Sequence, residues 1–149
     1  MTPRIEGGDE LLRNLRRFGK AGKRQGERAV RATAEKVRSD AIKAIQRGPA
    51  TGRVYERGGG QNLSATHQAS APGESPTTDT GNLVSSGKAD HMGLTSDVKF
   101  TAPYANALEF GTMKMEPRPF LHPAMVANRA FYIRKLEEAV SRAAREAAR

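Results

Sequence analysis

The sequence predicts an α+β fold: a small antiparallel β-sheet packed against long N-terminal and C-terminal α-helices, with a long extended loop or arm between them. Three observations predict it. Apolar residues recur at helical spacing near both ends of the chain. Residues 94–100 instead place Leu94, Val98 and Phe100 at even spacing, which puts them on one face of a strand. Between helix and strand lies a tract rich in Gly, Ser, Thr, Pro and Ala.

The elements follow in order. Residues 9–18 read as a short amphipathic helix, with Leu11, Leu12, Leu15 and Phe18 opposite Arg13, Arg16 and Arg17. Gly19 and Gly22 are expected to break it. Residues 23–47 read as a second helix whose stripe is Val30, Ala34, Val37, Ala41 and Ile45, ended by Gly48-Pro49. Residues 48–86 form the arm, expected to be mobile in the free subunit and ordered in an assembly. Within it, 52–56 and 63–68 can pair as a ragged hairpin across Gly58-Gly59-Gly60. A single helical turn is expected at 79–86, capped by Asp79 or Thr80, with Leu83 inward. Residues 87–91 and 94–101 form a hairpin around Met92-Gly93. Residues 123–149 are one last helix, with Met125, Tyr132, Leu136, Val140, Ala143 and Ala147 on a stripe. The 149 residues suffice for one domain, 1–149, built from helices (9–47), arm (48–86), sheet and elbow (87–122) and C-terminal helix (123–149).

Composition narrows the function. Cysteine and Trp are absent and aromatics are 5% of the chain, so the core is thin and open to completion by neighbouring subunits. No apolar run reaches the roughly 20 residues of a membrane span, and no signal segment opens the chain. The net charge is +9. Residues 1–47 carry 13 Lys/Arg against 6 Asp/Glu, so the excess is concentrated there. Such a bias fits a solvated helix face or a surface turned toward a polyanion; Arg24, Arg28, Arg31 and Arg38 are the candidates to face DNA phosphates. Base-stacking aromatics and nucleic-acid motifs are missing, so any DNA contact would be sequence-independent. His67, His91 and His122 lack metal-ligand spacing, no nucleophile elbow occurs, and no cofactor is expected.

The unusual chemistry gathers in residues 104–123. Tyr104 and Leu108 share a helical face, and Gly111 is placed to end that turn. Pro117, Pro119 and Pro123 stiffen an extended elbow that presents Arg118 and buries Phe120 and Leu121. Glu109 reads as an ion-pair partner for Arg118 or for a neighbour's arginine. Phe110, Met113, Met115 and Phe120 suit a protein interface, because Met and aromatic side chains adapt to partner surfaces. Phe110 and Phe120 read equally well as core residues of the single chain.

Tyr104-Ala105, Glu109-Phe110-Gly111-Thr112 and Arg118-Pro119-Phe120-Leu121 with Pro123 resemble the signature of the tail-completion, or head–tail joining, proteins of long-tailed bacteriophages. Upstream, Ser70-Ala71-Pro72-Gly73-Glu74-Ser75-Pro76 and Asp79-Thr80-Gly81-Asn82-Leu83 with Ser85-Ser86 match as well. The long Gly/Ser/Thr segment before Asp79 departs from the pattern. The resemblance implies a non-enzymatic virion protein of the neck, assembled in the host cytoplasm. Identical subunits would form a ring, six-fold in that family, between the connector or stopper on the head side and the tail terminator or tail tube. Double-stranded DNA would pass through the lumen. Contacts with neighbours would involve Glu109, Phe110, Met113, Met115, Arg118, Phe120 and Leu121. Two other readings stand beside it: a tail terminator capping the tube, and a stand-alone basic protein binding DNA without sequence preference.

Overall fold

A computed structural model describes residues 8–56 and 66–148. Helix α1 spans Gly8–Arg47, strand β1 Val54–Glu56 and strand β2 Thr66–Gln68. Helix α2 spans Asn82–Ser85, and the strands β3 Gly87–Met92 and β4 Thr95–Phe100 follow. The helices α3 Ala105–Phe110, α4 Leu121–Ala127 and α5 Arg129–Ala147 complete the chain. The arrangement is α+β, with β1 paired to β2 and β3 to β4 in separate two-stranded sheets. The chain divides into two compact units. The first holds the described residues through Thr33, the His91–Ser96 hairpin tip and the chain from Arg129 onward. The second holds Ala34–Asp90 and Asp97–Asn128.

The expected break at Gly19 and Gly22 does not occur, and α1 runs uninterrupted for 40 residues. A helical glycine costs about 1 kcal/mol relative to alanine. Three or four turns of flanking Leu, Arg and Lys, and burial of Ala21 and Gln25 in the first unit, outweigh that. In this unit α1 and α5 run antiparallel. Gln25 Nε2 donates to Glu146 Oε1 at 2.5 Å, while Arg28, Ala29 and Ala32 lie opposite Lys135, Ala139 and Arg142. The contact face is made of small residues, Ala21 and Ala29 on α1 and Ala139, Ala143 and Ala147 on α5, all buried. Small side chains let two helix backbones approach closely. The hairpin tip adds Leu94, whose methyl carbon lies 2.9 Å from where a Cβ on Gly26 would fall.

The second unit contains the main core. Val37, Ala41 and Ile45 from α1 meet Leu83, Ala105, Phe120 and Ala124, with Val98, Phe100, Leu108 and Leu121 packed around them. Ile45 is fully buried, and the Phe100 and Phe120 rings meet edge to face, 4.9 Å between centroids. The even-spaced face of β4 behaves as expected, Val98 and Phe100 both turning toward this core.

The arm is partly ordered by named bonds. β1 and β2 pair antiparallel with Val54 opposite Gln68 and Glu56 opposite Thr66, as the hairpin expectation required; residues 57–65, including the triple glycine and Leu63, lie outside the described residues. Glu74 then fastens the Pro-rich stretch: its carboxylate accepts from Thr51 Oγ1 at 2.5 Å and from the Ala71 N–H at 2.7 Å. Both bonds stabilise the charged form and hold the Glu74 carboxyl below its ordinary value, the Thr51 hydroxyl acting most strongly. The Thr78 N–H reaches the Ile45 carbonyl and the Gly73 N–H the Pro117 carbonyl. Where a mobile arm was expected, its described parts are therefore laced to the end of α1 and to the elbow.

Two local expectations change. Leu83 is buried in α2 as predicted, but the N-cap position is Gly81, which has no side chain to cap with, so neither Asp79 nor Thr80 caps the helix. The single C-terminal helix is divided at Asn128, whose backbone leaves helical geometry between α4 and α5. The Asn128 side chain is buried and donates through Nδ2 to the Ala124 carbonyl and to Asp40 Oδ2, each at 2.9 Å. Asn competes with the backbone for its own helix's carbonyls.

Candidate functional site

The elbow is built from its ends inward. Helix α3 stops at Gly111, whose φ of 75° lies in the region only glycine enters cheaply. A Cβ there would also fall 2.8 Å from the Met115 carbonyl oxygen. Thr112 and Met115 exchange backbone hydrogen bonds at 2.8 and 3.2 Å, closing a two-residue tip of Met113 and Lys114. The chain then returns along α3, the Arg118 N–H donating to the Leu108 carbonyl at 2.7 Å. Phe120 enters the core and α4 begins.

Glu109 has a different role from the one its charge suggested. Its carboxylate accepts three backbone N–H groups, Phe120 at 2.9 Å, Leu121 at 3.0 Å and His122 at 2.8 Å. These are the unpaired donors at the start of α4. The next residue, Pro123, has no N–H. One carboxylate and one proline thus satisfy the whole first turn, and the negative charge sits at the positive helix end. Arg118, the expected ion-pair partner, donates through Nε to the Ser70 carbonyl at 3.1 Å instead.

The residues selected from sequence now separate by exposure. Phe110 is 77% exposed and Met113 completely so. Met115, Glu109, Arg118 and Leu121 are half-buried. Phe120 is 2% exposed, so in the single chain it is a core residue that anchors the elbow and offers no surface.

Beside the elbow, one cavity of about 470 Å³ unites motifs far apart in the sequence. Asp79-Thr80-Gly81-Asn82-Leu83 forms one wall, Ser70 and Pro76 contribute another, and Tyr104, Leu108 and Arg118 close it. Tyr104 and Leu108 share the helical face that their spacing predicted. His67 Nδ1 lies 3.5 Å from Asp79 Oδ1 on this cavity. Sequence reading missed this pair, because twelve residues that span the end of a short strand and a Pro-rich loop give no periodic signal.

The basic candidates divide between the units. Arg24, Arg28 and Arg31 lie one helical turn apart on α1 and line a recess of about 290 Å³ with Glu27, His91 and Gly93. Arg24 is also paired with Glu146. Arg38 belongs to the second unit, where its Nε donates to Glu35 at 3.1 Å. Charge follows the same division. Among the described residues the first unit carries 13 Lys/Arg against 6 Asp/Glu, net +7, and the second 9 against 9, net zero. Among the described residues no group of three or more His, Asp or Glu is placed to hold a metal ion, and no helix is long and apolar enough to cross a membrane.

These features fit a subunit that presents surfaces to other proteins. The family model described as "Bacteriophage HK97-gp10, putative tail-component" matches residues 9–111, which is 103 of the 149 residues. The chain belongs to this family of phage tail components. It is a structural part of a virion, and its partners are other virion proteins. The Arg118-Pro119-Phe120 part of the elbow lies beyond the matched span. No curated protein and no solved structure matches the chain.

Proposed function

We propose that this chain forms a ring in the phage neck, six-fold as the family resemblance implies, assembled in the host cytoplasm. It joins the connector or stopper of the DNA-filled head to the tail terminator or tail tube, and DNA passes through its lumen. The observation that carries this reading is the exposure of Phe110, at the end of α3, and Met113, on the tip that the Thr112–Met115 backbone bonds close. Large apolar side chains held rigid in water mark a surface made for another protein. A rigid element also fixes the angle between successive subunits, which decides whether a head-to-tail contact closes into a ring. The excess of positive charge in the first unit supports a lumen that attracts phosphates without reading bases.

The test uses the double variant Phe110→Ser, Met113→Ser in a complementation assay. Both positions are exposed, so the thermal midpoint should stay within about 2 °C, since surface changes rarely exceed ±0.5 kcal/mol. Full heads and finished tails should accumulate unjoined. Normal infectious particles would sink the neck reading. Uncapped, overlong tails would favour a terminator, and tight, steeply salt-dependent DNA binding by the isolated monomer would favour a stand-alone DNA-binding protein.

A further inference from the structure

Helix α3 has two unlike sides. On one, Leu108 lines the cavity of about 470 Å³ together with Tyr104, one helical turn before it. Phe110 follows two residues after Leu108, which at 3.6 residues per turn sets it about 200° round the helix. It therefore faces away from the cavity, into water. A protruding aromatic ring and a recess lie on opposite sides of one short helix, and Met113 and Lys114 extend the protruding side as the tip beyond Gly111.

The recess is of a kind to receive such a ring. Pro76 and Leu83, both buried, and half-buried Leu108 give it apolar wall, and Tyr55 and Tyr104, 52% and 43% exposed, stand beside them. Its volume falls among those of pockets that bury most of a bound group. Among the described residues its ionisable side chains are His67, Asp79 and Arg118, with Asp79 against His67. The tip carries one exposed cation, Lys114, and the strand leaving it one exposed anion, Glu116.

We propose that Phe110 and Met113 of one copy enter this cavity in the next copy. The chain carries both halves of the contact, one on each side of α3, so a copy that inserts its Phe110 still offers its own cavity to the copy before it. The contact is head-to-tail and repeats. An aromatic side chain seated in a partner's pocket is the usual centre of such an interface, and here Phe110 meets Tyr55 and Tyr104. Lys114 approaches Asp79 and Glu116 approaches Arg118, one cation and one anion on each side. Pairing tip to tip would instead set Lys114 against Lys114, a like-charge contact that costs free energy, and would leave the cavity empty. This names a second copy as the partner of the Phe110–Met113 surface, and it rests on the ring reading for closure.

The absence of cysteine permits a direct test. Met113 on the tip and Thr80 on the cavity wall are both exposed. The full chain is made as Met113→Cys, as Thr80→Cys and as the double variant, with circular dichroism confirming unchanged helicity. Treated with a short bis-maleimide, the double variant should give a ladder of covalent multimers. Either single variant alone should stay uncrosslinked, and a 1:1 mixture of the two should stop at dimers. Adding Phe110→Ser to the double variant should cut the crosslinked fraction by roughly tenfold, as loss of a central anchor does. A Met113→Cys homodimer as the main product, no ladder from the double variant, or a ladder undiminished by Phe110→Ser overturns the proposal. So does capture of a different virion protein by the Thr80→Cys chain in place of its own copies. A ladder combined with normal infectious particles from phage lacking this protein would keep the contact and remove the neck reading. Unjoined heads and tails from that phage, with no ladder, would do the reverse.

Discussion

The Glu109 carboxylate takes the Phe120 backbone N–H at 2.9 Å, so a residue of α3 starts α4 eleven positions further along the chain. Glu109→Ala should lower stability by about 1–2 kcal/mol, the usual cost of losing a helix cap. Glu109→Gln, which keeps one acceptor oxygen, should lose less. Chemical denaturation of the three proteins checks the order. Equal loss from both variants would mean that charge, and not acceptance of the N–H groups, is what matters.

Glycine substitutions should act in opposite directions. Nothing lies within 4 Å of a Cβ at Gly19 or Gly22, so Gly19→Ala should raise stability by up to about 1 kcal/mol. Gly111→Ala combines positive φ with a 2.8 Å clash against Met115 and should cost more than about 1 kcal/mol. Thermal midpoints of the two variants on opposite sides of the parent would bear this out.

Phe120→Ala should destabilise by about 3–5 kcal/mol, as for other large aromatic residues removed from a core. Any assembly defect of that variant would then follow from unfolding, which a falling melting temperature would reveal. Phe110→Ser, Met113→Ser tests docking cleanly because neither side chain is in the core.

Acid should weaken the fold through its tethered carboxylates. Asp40 is held below its ordinary value of 3.8, first by the Lys36 ammonium and then by the Asn128 amide. A depressed carboxyl contributes stability that is present above the unfolded value and lost as pH falls through the folded one. Glu74 and Glu138 are lowered from 4.5 and act in the same sense. Unfolding free energy should therefore fall as pH drops below about 4.5. Asp40→Asn should flatten the slope below pH 4 in particular. An unchanged acid profile would remove Asp40 from the account.

Much of the fold was legible because its signals are local. The β3–β4 hairpin, the inward Leu83 and the stop at Gly111 each depend on residues within a few positions. What was missed depends on distant partners. Asn128 divides the last helix in contact with Asp40, 88 residues away, and no periodicity in the sequence records that meeting. Gly19 and Gly22 carried a real helix penalty, but continuous α1 packs against α5, at the far end of the chain. Glu109 was read as an ion-pair partner for Arg118 or for a neighbour's arginine; within the single chain it holds three backbone N–H groups and Arg118 bonds elsewhere. A cue was present: a helix beginning Phe120-Leu121-His122-Pro123 has no Ser, Thr, Asp or Asn to cap it, so an outside acceptor was required.

The occupied first turn of α4 has one more consequence. A helix start is ordinarily a ready seat for a phosphate, but here the seat is already filled by the protein's own anion. A phosphate therefore finds no vacant helix-start donors at the proline bend.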